Sequence, residues 1–276
     1  MTVPTTHLPV ELPCVMGIVN VTPDSFSDGG LFRDPRRAIE HGRELVAEGA
    51  AIVDVGGEST RPGSEPVPFE QELERVLPVV EGLAGTAPLI SIDTTKAEVA
   101  RAALDAGAGL VNDVTALRGD PAMAALVGER GCPVCLMHML GEPRTMQDDP
   151  SYGDVVAEVT AFLEARLTWA VEAGIREEQI LLDPGIGFGK TLEHNLLLLR
   201  HLDRIAALGR PVVLGTSRKR FLGGLGLAEG ERVTGTVATT VLGLTRGAVV
   251  FRVHDVRPNV EALHVARAVL TIGDAG

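Results

Sequence analysis

The stretch from Leu89 to Val114, LISIDTTKAEVARAALDAGAGLVNDV, holds two short apolar runs around one segment of helical period. Leu89 to Thr95 and Leu110 to Val114 have strand length and are bounded by turn residues, while Lys96 to Gly107 has helix length. Strand, helix and strand in succession form a parallel βα unit, and the same alternation runs outward in both directions. Further strands are predicted at Cys14 to Thr22, Ala51 to Gly57, Pro133 to Met139, Ile180 to Pro184, Pro211 to Ser217 and Ala248 to Asp255. Helical segments such as Pro35 to Gly49, Tyr152 to Gly174, Glu193 to Leu208 and Asn259 to Leu270 lie between them. Eight strands, each followed by a helix, favour an α/β fold closed as a single (β/α)8 TIM barrel over an open doubly wound sheet. In such a barrel the active site lies at the C-terminal ends of the strands.

Gly49, Gly107, Gly131, Gly174 and Gly209 fall where helices should stop, at the C′ position. No linker or low-complexity tract interrupts the series, so residues 1 to 276 read as one domain, with 1 to 13 an extended arm. With 45% hydrophobic residues a full core is available, and a net charge of −12 with 3% aromatics argues against nucleic acid as a partner. No apolar run is long enough to span a membrane, and the N-terminus lacks a signal-peptide pattern, so a cytoplasmic location is expected. Cys14, Cys132 and Cys135 cannot make a disulfide framework. Cys135 and His138 point to opposite faces of a strand and cannot share a metal, which leaves buried strand cysteines.

Polar residues stand at the strand ends where a purely structural barrel would carry Val or Ile: Asn20 and Thr22, Thr60 and Arg61, Asp93, Asn112 and Asp113, His138, Asp183, Ser217 and Lys219, Arg252 and His254. Arg252 and His254, two apart on one strand, suit an anion such as a phosphate. Asp93, Asn112 and Asp183 offer acceptors and an amide to a flat, donor-rich heterocycle. DPGIGFGKT, Asp183 to Thr191, imitates a phosphate-binding loop, but Pro184 stands where the motif needs Gly. It reads instead as a glycine-permitted loop that lets Phe188 reach over a ligand. Asp24 and Asp28 suit turns after Pro23 and before Gly29.

Taken in order, NVTPDSFSDGG, GGESTRPG, SIDT, NDV, LMHM, DPGIGFGK, GTSRK and FRVHDV make the chain resemble the dihydropteroate synthases from about Val15 to Ala268. The resemblance implies a transferase of folate biosynthesis that joins 6-hydroxymethyl-7,8-dihydropterin diphosphate to 4-aminobenzoate and releases pyrophosphate. It implies pterin contacts from Asp93, Asn112, Met137, Asp183, Phe188 and Lys219, and diphosphate contacts from Thr60, Arg252 and His254. Thr60, Arg61, Phe188 and Arg220 would face the aminobenzoate, where many family members carry Ser in place of Arg220. Asp28, Asp93 and Lys219 would serve the chemistry, and Asn20 would hold Mg2+. Sulfonamide binding and a homodimer are further implications. The segment Asp24 to Gly29 is expected to act as a lid. Another pterin-binding barrel, such as a methyltetrahydrofolate-dependent methyltransferase domain, or a non-catalytic paralogue is the alternative, but the first would leave Arg252 and His254 without a diphosphate.

Overall fold

The computed structural model describes residues 6–22, 35–60 and 63–272. The elements run β1 (Cys14–Asn20), α1 (Pro35–Ala47), β2 (Ile52–Gly56), α2 (Phe69–Leu83), β3 (Ile90–Asp93), α3 (Ala97–Asp105), β4 (Leu110–Asp113), α4 (Met123–Arg130) and β5 (Val134–Met137). They continue as α5 (Val155–Glu172), β6 (Ile180–Asp183), α6 (Leu192–Arg200), α7 (Asp203–Ala206), β7 (Val212–Leu214), α8 (Arg220–Gly223), α9 (Arg232–Thr245), β8 (Ala248–Val253) and α10 (Val256–Thr271). All eight strands pair in parallel, each with its neighbour in sequence, and β8 pairs back on β1. The closed barrel expected from the count of eight is therefore the architecture found.

The strands stop earlier than their apolar patterns suggest. Thr22, Thr95, Met139, Ser217 and His254 all lie beyond the ladder, because the chain leaves the sheet to turn toward the next helix. The segment Glu193 to Leu208 is two helices, α6 and α7, broken at His201 and Leu202. The five glycines read as helix stops all have positive φ, from 64° at Gly131 to 115° at Gly107, a conformation that other residues enter only at a cost in strain.

Both faces of every strand are covered, which is why the strands read as nearly continuous Val, Ile and Leu. Outward residues such as Val53, Ile92, Val111, Leu136, Leu182 and Phe251 pack under the helices. Inward, Met16, Ile52, Leu110, Cys135, Leu181, Val213 and Val250 fill the lower barrel, and Leu8 and Leu12 of the N-terminal arm close it from below. Cys14, Cys132 and Cys135 are buried and unpaired, as expected. Among the described residues, no helix is long and apolar enough to cross a membrane.

Candidate active site

The inward face of the barrel changes character at one level. Above Ile52, Leu110, Cys135, Leu181 and Val250, two residues further along the same strands, stand Asp54, Asn112, Met137, Asp183 and Arg252, because side chains on a strand return to one face every second residue. Asp93 of β3 joins them through the register Gly56↔Asp93↔Asn112. Arg252 donates from Nε to Asp54 Oδ2 at 2.6 Å and from one Nη to Asp93 Oδ2 at 2.7 Å. Asn112 Nδ2 donates to the same oxygen of Asp54 at 3.1 Å. The second Nη of Arg252 makes no hydrogen bond with the described residues.

Burial raises the Asp93 carboxyl to about 7 against the pull of Arg252. It also raises Asp183, against Lys219 and the amide of Gly185. Burial works against the charge on Arg252 too, but the attraction of Asp54 and Asp93 more than offsets it and its pKa ends above the ordinary value. The result is a mixed-charge wall in a low-dielectric mouth, where fixed charges act strongly on a ligand.

Lys219, between β7 and α8, is brought down to about 8 by burial, opposed by Asp183. Its ammonium donates to Ile186 O and lies 4.7 Å from the centre of the Phe188 ring. Phe188 packs on Val114, Met137, Met139 and Met146, an apolar cluster beside the polar wall. The glycine loop thus places Phe188 beside Lys219 and Met137. It does so with Gly185 at φ +65°, where an added Cβ would meet His138 O at 1.8 Å.

The sequence-based site residues fall into three groups. Asp93, Asn112, Met137, Asp183, Phe188, Lys219 and Arg252 converge on the mouth. Asn20 ends β1, Thr60 follows β2 and Arg220 begins α8, all at the same end of the barrel and all at least partly exposed. Asp28 and Arg61, with the lid segment Asp24 to Gly29, lie outside the described residues. Arg252 turns to the carboxylates of Asp54 and Asp93, and β8 ends at Val253, one residue short of His254. His254 instead meets Ser217 Oγ at 3.0 Å with both its backbone N–H and ring Nδ1.

Other strand-end residues are structural. Asp113 accepts from Thr115 N, Thr115 Oγ1 and Leu117 N, holding a turn in which Ala116 and Leu117 have positive φ. His138 and Lys190 bond each other beneath the glycine loop. Lys190 therefore serves its own loop, which explains physically why GKT here is no phosphate cradle.

Sequence reasoning missed Asp54, although a lone carboxylate inside IVDVG was a signal. It also missed the buried Glu72 of α2, which with Glu58 binds Lys96, at 2.6 Å from Glu72. Glu58 also accepts from Val67 N and Arg75 donates to Gly57 O, so this cluster anchors the segment that carries Thr60. Lys96, Lys190 and Lys219 are the three lysines of the chain, and all stand at this end of the barrel.

Residues 16–254 match the family model described as pterin binding enzyme. The dihydropteroate synthase of Mycobacterium leprae (strain TN) is 51% identical over 267 residues, covering 94% of each chain. The Xanthomonas albilineans dihydropteroate synthase with 4-aminobenzoic acid superposes with a TM-score of 0.88 at 51% identity, covering 94% of this chain and 93% of that one. The same enzyme in complex with 7,8-dihydropteroate gives 0.85 at 49% identity, covering 94% of each chain. With this layered mouth at the end of an eight-stranded barrel, and relatives matching over nearly its whole length, the chain belongs to the pterin-binding enzymes, in their dihydropteroate synthase branch.

Proposed function

We propose that the chain joins 6-hydroxymethyl-7,8-dihydropterin diphosphate to 4-aminobenzoate, giving 7,8-dihydropteroate and pyrophosphate. The observation that carries this reading is the polar layer of Asp54, Asp93, Asn112, Asp183 and Arg252 set directly on an apolar floor. A flat heterocycle with donors and acceptors round its rim would meet Asn112, Asp93 and Asp183 at its edge and Met137 and Phe188 at its faces. The arylamine nitrogen attacks the methylene carbon as the bond from that carbon to the diphosphate oxygen breaks, and the amine loses a proton to solvent or substrate.

As that bond breaks, positive charge develops on the pterin and negative charge on the leaving group. Asp183 and Asp93 are already in place beside the first, so little reorganisation is needed. Lys219, the free Nη of Arg252, His254 and Thr60 would face the second. Lys219 uses one proton on Ile186 O and keeps the others for a ligand. Arg220, exposed at the start of α8, would pair with the aminobenzoate carboxylate, with Phe188, Thr60 and Arg61 about it. Asp28 is carried in the proposal from sequence alone.

Among the described residues no cluster of three or more His, Cys, Asp or Glu is arranged for a metal. Asn20, whose side-chain amide offers an oxygen at the end of β1, is the residue that would hold Mg2+, an ion that takes oxygen ligands and usually keeps waters and substrate phosphates in its shell. Bound there, Mg2+ would neutralise charge on the departing pyrophosphate.

Sulfonamides, as imitators of aminobenzoate, would compete at the Arg220 end. Leu225, Leu242, Val265, Val269 and Ile272 are exposed apolar residues in the last quarter of the chain, several of them on the adjacent α9 and α10, and we propose a homodimer through this face. Incubation with the dihydropterin diphosphate, Mg2+ and 4-aminobenzoate should release pyrophosphate, and no release would overturn the reading.

A further inference from the structure

The loop from Gly185 to Gly189 is held in an unusual way. Every one of its five carbonyl oxygens accepts a hydrogen bond from a side chain. Lys190 Nζ donates to Gly185 O and to Phe188 O, each at 2.9 Å. Lys219 donates to Ile186 O, Gln147 Nε2 to Gly187 O at 2.6 Å, and Tyr152 Oη to Gly189 O at 2.8 Å. Two amides are fixed as well, Gly185 N on Asp183 Oδ1 and Gly187 N on Asn195 Oδ1, both at 2.7 Å. Three glycines with positive φ add little stiffness, and besides the turn bond from Phe188 N to Gly185 O at 3.0 Å it is these side chains that set the shape of the loop.

Lys190 is the centre of this arrangement. It is only 3% exposed, and its third contact is His138 Nδ1 at 2.9 Å. Burial lowers Lys190 to about 7, opposed by Asp183, but an ammonium has three protons to donate and three acceptors meet it here, the arrangement that suits the charged form. The third acceptor requires an unprotonated Nδ1. Burial and the neighbouring ammonium push His138 down to about 3, so the ring is neutral and its proton is on Nε2. The ring is itself fixed edge-on against Phe162, with centres 4.8 Å apart. Phe162 belongs to α5, so a helix of the outer layer orients the imidazole that orients the lysine.

We propose that Lys190 and His138 are positioning residues for the pterin end of the site: together they hold the loop that presents Phe188 and orients Asp183, without touching substrate. This rests on the function proposed above. The carbonyl of Phe188 is one of the two that Lys190 holds, and Asp183 takes the amide of Gly185, whose carbonyl is the other. Loosening the lysine therefore moves a ring at the face and a carboxylate at the edge of the same ligand. Such a loss weakens ground-state and transition-state binding alike, which raises KM more than it lowers kcat.

The test uses the full chain. Pyrophosphate release by the unsubstituted protein establishes the reaction; its failure would overturn the function, not the role of Lys190 and His138 in holding the loop. Given that reaction, Lys190→Met and His138→Leu should each raise KM for the dihydropterin diphosphate by about tenfold or more, with kcat changing much less. His138→Asn, whose amide oxygen falls near the place of Nδ1, should recover most of the loss, while His138→Leu should not. Circular dichroism and melting curves identify variants that fold. If Lys190→Met fails to fold, the contrast between His138→Asn and His138→Leu carries the test alone. Folded variants with unchanged KM, or equal KM values for His138→Asn and His138→Leu, would overturn the proposal.

Discussion

At the residue scale, Asp183 and Lys219 are the two charged groups on which pterin binding should depend most. Replacing Asp183 by Asn keeps the shape and removes a charge-assisted acceptor, so pterin affinity should fall by about 1 to 3 kcal/mol. Calorimetric titration with a pterin reads this directly. Lys219 makes a second prediction with a definite sign. Its pKa is lowered from 10.5 to about 8 in the folded chain, so between those values the unfolded chain binds more protons. Stability therefore rises with pH across that window. The unfolding free energy of the protein relative to Lys219→Met should shift in favour of the unsubstituted chain from pH 8 to pH 10. Over the same range pterin diphosphate affinity should fall, because the ammonium facing the leaving group is lost.

At the scale of elements, the loops between strands and helices carry most of the specificity. Gly185→Ala forces a Cβ into His138 O and an unfavourable φ. It should lower the melting temperature and abolish pterin affinity together, as measured by thermal scanning and titration. Lys96→Met leaves Glu72 fully buried without its cation, which should destabilise the protein by about 3 kcal/mol in urea unfolding. The sequence made the strands and most helix ends legible, because a two-sided parallel sheet leaves continuous apolar runs and helix stops leave glycines. It concealed Asp54, since strand-end reasoning looked past the middle of β2. It ran β8 past Val253, because an apolar pattern does not reveal where strand pairing ends. The roles of Lys190 and His138 were concealed for another reason: they are 52 positions apart and meet only through the closure of β5 against β6.

At the scale of the molecule, the barrel separates stability from chemistry along its axis. Its lower half is Met16, Ile52, Leu110, Cys135, Leu181 and Val250, closed by Leu8 and Leu12, each apolar side chain contributing about 1.5 to 3 kcal/mol when fully buried. Removing residues 1–12 should lower the melting temperature while leaving KM for both substrates near its original value, since the arm and the mouth are at opposite ends. Leu242→Glu together with Val265→Glu should convert a dimer to monomers in analytical ultracentrifugation.

The distribution of lysines has a practical consequence. Of 25 basic residues only three are lysine, against 22 arginines, and each of the three is engaged at the mouth. Within these 276 residues an amine-directed acylating reagent can thus address only these three side-chain amines. Lys190, enclosed by three acceptors, should stay unmodified until the loop opens, and Lys219 should be shielded when a pterin is present. Mass spectrometry of the labelled chain becomes a readout of loop opening and site occupancy at once, with little background from the rest of the surface.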